Sequence, residues 1–389
     1  MEDWKQVNSS PLNFMEEIEA EKQFLPKTIY LHDTTLRDGE QFAGVVFTKE
    51  DKVRIGQALS ELGVHRIEVM PAVSQDDFEA VKELASLGLS AEIVGFCRSV
   101  QGDIQKAADA GCPAIELEIT TFPPLIEAFG WSFEETTSKI IKASHFAKEK
   151  GLRVTAFLML ATQSPWDFVQ KIIEKILKEG AIDAIALPDT RGTCLPRALY
   201  HFVRRVKSLT DKCIEIHPHN TYGMGTAGAL AAAMAGAEVI HTCVNGLGEG
   251  GGNAPLETVA VDLELMLGID TGIKLEKLYE VSQLVEKLSQ IQLQANWPLV
   301  GERVFTQESG IAVDAGFKLA KAGKANPPGT DIAGIIGRER KIIVGKMSGG
   351  TSIKVKMERL GIPVPDDAVV MDILNRVKAK AIDKHHALT

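Results

Sequence analysis

The sequence predicts an α/β protein: a (β/α)8 TIM barrel followed by a C-terminal appendage. Three observations carry this. Short apolar runs alternate with amphipathic stretches eight times between residues 28 and 270, a length typical of such a barrel. The residues with chemistry to offer cluster just after the apolar runs, where a barrel gathers its site. Glycines stand where the amphipathic stretches end. A doubly wound sheet is the alternative, but it places a glycine-rich phosphate loop after its first strand. Here Arg37-Asp38-Gly39-Glu40 follows that strand, which is no such loop.

Residues 1–27 form an N-terminal extension, acidic and mixed, broken at Asn8-Ser9-Ser10-Pro11. It lacks the apolar stretch of a signal peptide. The barrel domain spans 28–270, with strands expected at 28–33, 66–70, 91–96, 114–119, 153–160, 182–188, 213–219 and 238–244. Helices are expected at 49–62, 74–86, 102–110, 133–150, 166–179, 196–208, 224–235 and 256–267. Thr48 with Asp51 resembles a capping box before the first of these. Gly63, Gly88, Gly111, Gly151, Gly180 and Gly236 mark helix ends. Residues 271–389 form the appendage beyond the barrel.

Composition narrows the function. Of 389 residues, 45% are hydrophobic and 24% charged, ordinary for a soluble globular protein. The net charge of −9 leaves no basic footprint for nucleic acid. Small anionic substrates must be drawn by local groups. Cys97, Cys112, Cys194, Cys213 and Cys243 are dispersed and odd in number, as expected of reduced thiols in a cytoplasmic protein. No segment reaches the roughly 18 uncharged apolar residues of a membrane helix.

The stretch that organises the rest is Leu31-His-Asp-Thr-Thr-Leu-Arg-Asp-Gly-Glu-Gln41, which follows Thr28-Ile29-Tyr30. An apolar run that turns polar reads as a buried parallel strand opening into a site. Its partners lie far downstream. His217 and His219 are two apart, so both point to one face of a strand. A lone His-x-His is often coincidence; standing at a strand end opposite Asp38, it reads as a ligand pair. Asp38, His217, His219 and the neutral oxygen of Asn253 then suit one divalent ion, Mg, Mn, Co or Zn. The loop Gly246–Asn253 is either a flexible turn or a backbone that approaches a ligand closely, and ending in Asn253 favours the second. Arg37 and Gln41 follow the first strand, and Glu68 sits in the second. Glu68 either orients reacting groups or forms a strand-end salt bridge with Arg37 or Arg98.

These residues resemble a family. Asp33-Thr-Thr-Leu-Arg-Asp-Gly-Glu-Gln41, Leu187-Pro-Asp-Thr-Arg-Gly192, His217-Pro-His-Asn220 and Asn245-Gly-Leu-Gly-Glu-Gly-Gly-Gly-Asn-Ala-Pro-Leu-Glu257 are similar to motifs of the metal-dependent Claisen-condensing barrels. Those are the homocitrate, 2-isopropylmalate and citramalate synthases, related to hydroxymethylglutaryl-CoA lyase. Val304–Ile311, Gly337–Arg340 and Val344–Gly350 resemble the family's linker subdomains, so the likeness runs from about 28 to 362 and implies that 271–389 form small, mainly helical C-terminal linker subdomains. The chain ends too soon for the leucine-binding regulatory domain of long isopropylmalate synthases.

The resemblance implies an acyltransferase that condenses acetyl-CoA, or another acyl-CoA, with a 2-oxo acid. It implies a divalent ion on Asp38, His217, His219 and Asn253, and Arg37 as the oxyanion partner. Thr190 would bind the substrate carboxylate, Glu68 and Gln41 would orient the reacting groups, and Arg98 and Gln163 would line the substrate site. A homodimer follows, with one subunit's linker reaching toward the other's barrel. Two alternatives stand beside it: a carbon–carbon lyase acting on a 3-hydroxy acid or its CoA thioester, and a non-catalytic metal-binding paralogue.

The sequence departs from the family's pattern in several places. Gln307 and Ala312 stand where linker histidines are usual, and Met347 interrupts the lysine-histidine-serine-glycine pattern. Gly250 and Gly251 replace an arginine-alanine pair, and Met159–Gln163 replaces a glutamate-aspartate-alanine-x-arginine stretch. The second strand is one residue short before Pro71. An apolar fifth-strand end favours a neutral substituent on the oxo acid, because a second carboxylate desolvated without a cation costs several kcal/mol.

Overall fold

The computed structural model describes residues 8–324, 326–327 and 332–388. The first seven residues of the expected N-terminal extension lie outside the described residues, as do 325, 328–331 and 389 of the expected linker region. Eight parallel strands close into a barrel in sequence order. They are β1 (Tyr30–Asp33), β2 (Arg66–Val69), β3 (Glu92–Arg98), β4 (Ala114–Thr120), β5 (Arg153–Met159), β6 (Ala184–Asp189), β7 (Cys213–Pro218) and β8 (Val239–Thr242). The barrel helices are α1 (Lys49–Leu62), α2 (Gln75–Ser86), α3 (Gln101–Asp109), α4 (Phe133–Glu149), α5 (Trp166–Glu179), α6 (Pro196–Lys207), α7 (Gly225–Met234) and α8 (Leu256–Met266). Each expected strand and helix is present, with ends shifted by a residue or two, as fraying termini allow.

The punctuation has physical causes. Thr48 Oγ1 accepts from the Asp51 backbone N–H at 3.2 Å, and Asp51 Oδ2 accepts from the Thr48 N–H at 3.1 Å, completing the capping box. Gly63 ends α1 at φ 103°, and a Cβ there would lie 2.7 Å from the Gly272 carbonyl oxygen. Gly180 differs from the other helix-end glycines: α5 ends there in extended backbone, φ −95°. Two short helices were not expected, Glu16–Glu21 and Pro123–Ala128. Each has only six residues, too few for a clear amphipathic period.

The chain divides into two compact units. One runs from Pro11 to Gln292, past the expected boundary at 270 and starting before 28. It runs on because α9 (Leu278–Ser289) turns Leu278, Val281 and Val285 into the barrel's core, and Asn245 donates to the Ser282 carbonyl oxygen at 2.9 Å. The other contains Leu293–Thr389 with residues up to Ser10. Its core is Val344, Ile353, Val370 and Leu374, and it carries the two-stranded parallel pair β9 (Thr306–Gln307) and β10 (Lys341–Ile342). None of the described helices is long and apolar enough to cross a membrane.

Asp262 in α8 offers a stability test. Burial pushes its carboxyl up to about 6. The folded value is above the unfolded one of 3.8. The folded state therefore holds the extra proton, and stability falls as pH rises through that window. Asp262→Asn should raise the melting temperature at pH 7, by a free energy of at most roughly 3 kcal/mol. The gain should vanish below pH 4, and thermal melts across pH 3–8 check both.

The barrel interior positions the site. Such interiors are ordinarily filled by Val, Ile and Leu. Here the inward layer instead holds His32, Glu68, Glu116, Glu215 and His241, each at most 1% exposed. Beside them Phe96, Phe157 and Ala186 form an apolar cluster, with Met70 packed against it.

Candidate metal centre and active site

Asp38, His217 and His219 come together at the C-terminal mouth of the barrel. β1 ends at Asp33, and the turn that follows carries Asp38 inward, 1% exposed. His217 lies in β7 and His219 just beyond it. His217 Nε2 is 3.3 Å from Asp38 Oδ2 and 3.3 Å from His219 Nε2, and His219 Nε2 is 3.7 Å from the same oxygen. Three donor atoms so spaced suit one small divalent cation: a ligand about 2.1 Å from such an ion sits roughly 3.0–3.4 Å from its neighbours. Protonation agrees. Burial lowers His217 to about 3, leaving it a neutral imidazole at physiological pH. Burial works against charge on Asp38 as well, but the adjacent Arg37 and the imidazoles hold its carboxyl far below the usual range.

Asn253 reaches the same point by another contact. Its Nδ2 donates to Asp38 Oδ2 at 2.6 Å and to the Leu247 carbonyl oxygen at 3.1 Å, while its Oδ1 is buried without a hydrogen-bond partner. The loop that carries it is tightly packed. Gly252 has φ 77°, and a Cβ there would meet the Gly246 carbonyl oxygen at 1.8 Å. A Cβ on Gly251 would meet Thr221 Cα at 2.5 Å, and Asn220 N–H donates to the Gly252 carbonyl oxygen at 2.7 Å. Gly251 therefore makes room for the backbone beyond β7, and Gly252 for the carbonyl of Gly246 in its own loop.

Arg37 is the cation beside the cluster, 8% exposed. Its Nε donates to Glu68 Oε1, and its Nη1 lies 3.5 Å from Asp38 Oδ1. The guanidinium sits 4.1 Å above the Phe96 ring, and Nη2 is buried without a hydrogen-bond partner. Glu68 is thus in the salt bridge with Arg37. That charge overrides burial and holds its carboxyl well below the usual range. Arg98 is elsewhere engaged: it binds Asp103 through two nitrogens at 2.8 and 2.9 Å, and its side chain is 63% exposed.

The remaining candidates gather on the rim. Thr190 Oγ1 accepts from the Leu160 N–H at 3.0 Å. Gln163 Nε2 donates to Asp189 Oδ1 at 3.1 Å, and Thr162 Oγ1 donates to the same oxygen at 2.7 Å. Cys194 N–H donates to Asp189 Oδ2 at 3.0 Å. Asp189 therefore organises this rim. Gln41 is exposed on the turn after Asp38. In the other unit, Gln307 belongs to β9, and Ala312 lies in the helix Gly310–Lys321.

Sequence reasoning missed the aromatic support. Phe96 and Phe157 meet edge to face at 5.2 Å, and Phe157 packs on His217 at 5.4 Å. It also missed the charged layer below. The signal was available: Glu116, Glu215 and His241 each interrupt an apolar strand.

A closed (β/α)8 barrel with an Asp-His-His cluster and a buried arginine at its mouth defines a barrel enzyme with a metal-type site. The chain belongs to the HMGL-like family, whose pattern it matches over residues 28–285. It is 40% identical to a 2-isopropylmalate synthase of Methanocaldococcus jannaschii, over 91% of this chain and 68% of the relative. It is 37% identical to the homocitrate synthase AksA of Methanopyrus kandleri, over 91% of this chain and 88% of the relative. In fold it resembles the HMG-CoA lyase of Bacillus subtilis, with a TM-score of 0.63 and 23% identity, over 69% of this chain and 96% of that one.

Proposed function

We propose that the protein is an acyltransferase that condenses acetyl-CoA with a 2-oxo acid and, with water cleaving the thioester, gives a 2-alkylmalate-type product and free CoA. One observation carries this: Asp38, His217 and His219 converge beside a buried guanidinium whose Nη2 has no hydrogen-bond partner. The cluster would hold a divalent ion, which would supply Lewis-acid polarisation of the ketone of a 2-oxo acid. Arg37 turns its Nη2 toward the oxygen that gains charge as the new carbon–carbon bond forms. Glu68 and the Phe96 face fix that guanidinium, so Glu68 is a positioning residue. Thr190 offers its hydroxyl to the substrate carboxylate. Gln163 and Gln41 shape the rim, and Asn253 orients Asp38 and the ion. The same reading carries a homodimer in the cytoplasm, and light scattering of the purified protein tests the dimer.

The substituent on the oxo acid is neutral. At the fifth-strand end, Thr162 and Gln163 are committed to Asp189. Arg98 is committed to Asp103, and Arg191 lies 3.9 Å from Glu249 on an exposed edge. A second carboxylate would meet no uncommitted cation there, whereas each buried methylene gains about 0.8 kcal/mol. Thiol release from acetyl-CoA, with and without Mn²⁺, tests this against pyruvate, 2-oxobutyrate, 2-oxoisovalerate, oxaloacetate and 2-oxoglutarate. One of the three monocarboxylates should give the highest kcat/KM. A lead for either dicarboxylate overturns the neutral pocket. Cleavage of a 3-hydroxy acid or its CoA thioester without condensation makes the protein a lyase.

A further inference from the structure

We propose that the floor of the barrel holds a second divalent cation, bound by His32, Glu116, Glu215 and His241 and separate from the site at the mouth. These four come from β1, β4, β7 and β8 and are at most 1% exposed. One ligand atom from each lies within 4.8 Å of the others. His32 Nδ1 is 3.6 Å from Glu116 Oε1 and 4.0 Å from Glu215 Oε2. His241 Nε2 is 3.5 Å from Glu116 Oε1 and 3.0 Å from Glu215 Oε2. Those spacings bracket the roughly 3.4 Å edge of a tetrahedron with metal–ligand bonds of about 2.1 Å.

The surroundings hold the far side of Glu215. Glu215 Oε1 accepts from Arg66 Nη1 at 2.9 Å and from Thr155 Oγ1 at 3.2 Å, which leaves Oε2 facing the cluster. His32 Nε2 lies 3.2 Å from Glu68 Oε2 without hydrogen-bond geometry, and Nδ1 faces the cluster.

What the cluster lacks is as informative. Neither oxygen of Glu116 has a hydrogen-bond partner, and neither does His32 Nδ1. Buried polar groups are rarely left so. Arg37 pairs with Glu68 and Arg66 with Glu215, and Glu116 is left without a counter-charge. A cation supplies both the counter-charge and the missing contacts. Two imidazoles and two carboxylates suit Zn²⁺.

The two sites are distinct. Glu215 stands two residues before His217 in β7, a rise of roughly 7 Å. Ions of a bridged two-metal centre lie about 3.5–4 Å apart. The floor ion therefore does not bridge to the mouth site, and it ties four strands together beneath it.

Zn²⁺ loading of the full chain, followed by extensive dialysis and elemental analysis, tests this. Wild type should retain two equivalents per chain. His219→Ala, which leaves the floor intact, should retain one, and Glu116→Gln should retain one. His219→Ala with Glu116→Gln should retain none. If Glu116→Gln does not fold, His219→Ala alone decides, because its retained equivalent must then also raise its melting temperature. One equivalent in wild type and none in His219→Ala overturns the floor site. So does a second equivalent that survives Glu116→Gln.

Discussion

Arg37→Lys is expected to lower condensation by about 10²-fold or more while fold and metal content persist. Arg37 does several things with one planar group. Nε donates to Glu68, Nη1 lies 3.5 Å from Asp38, and the plane rests 4.1 Å above Phe96. Nη2 remains to meet substrate. A lysine ammonium is a single point of charge. If it pairs with Glu68, no donor is held at the Nη2 position; if it turns to substrate, Glu68 is buried unpaired. Either way the transition state loses a preorganised donor. Thiol-release kinetics should show the loss mainly in kcat, with KM for the oxo acid changing less, since the interaction strengthens as charge develops. Circular dichroism and elemental analysis on the same sample check fold and metal. Near-normal turnover would make Arg37 a structural partner of Glu68 and remove it from the chemistry.

The same residues show what the sequence makes legible. The barrel was readable because a buried parallel strand is a short apolar run and a surface helix has a 3.6-residue period, and eight such pairs leave few other folds. The site at the mouth was readable because strand ends are where polarity breaks that pattern: Arg37 and Asp38 after β1, His217 and His219 at the end of β7. Contacts between strands were less readable. That Glu68 meets Arg37, while Arg98 turns out to Asp103, depends on which way each strand-end side chain leans, and spacing in sequence does not encode that. The glycines of Gly246–Asn253 were legible as a close approach, but not what they approach. The floor was hidden by the rule that found the barrel. A single Glu116 or His241 within an apolar run looks like a tolerated exception. Only closing the sheet, with His32 opposite His241 in register, shows that five exceptions share one layer. Departures from local consistency of this kind are where function is expected.

Asp38→Asn is expected to abolish detectable condensation and to weaken binding of the mouth ion by about 10²-fold or more, since even indirect partners of a ligand contribute 10–100-fold. The substitution keeps shape and removes charge. The asparagine side-chain oxygen can still accept from Asn253 Nδ2, so the loop from Gly246 keeps its anchor. What is lost is the anionic ligand between the two imidazoles. The metal-free protein should also lose stability, because the Arg37 charge holds Asp38 ionised. The sign follows from the depressed folded value: the contribution is fully present above the unfolded carboxylate range and is lost as pH falls below it. Breaking a buried pair costs roughly 3–5 kcal/mol, and the low end applies because Arg37 keeps Glu68. Melts of metal-free wild type and Asp38→Asn should therefore differ at pH 7, and the difference should begin to shrink only as pH falls below about 4. Mn²⁺ titration at neutral pH should show the affinity loss directly. Unchanged Mn²⁺ affinity in the variant would take Asp38 out of the ligand set and leave the two histidines without an anionic partner.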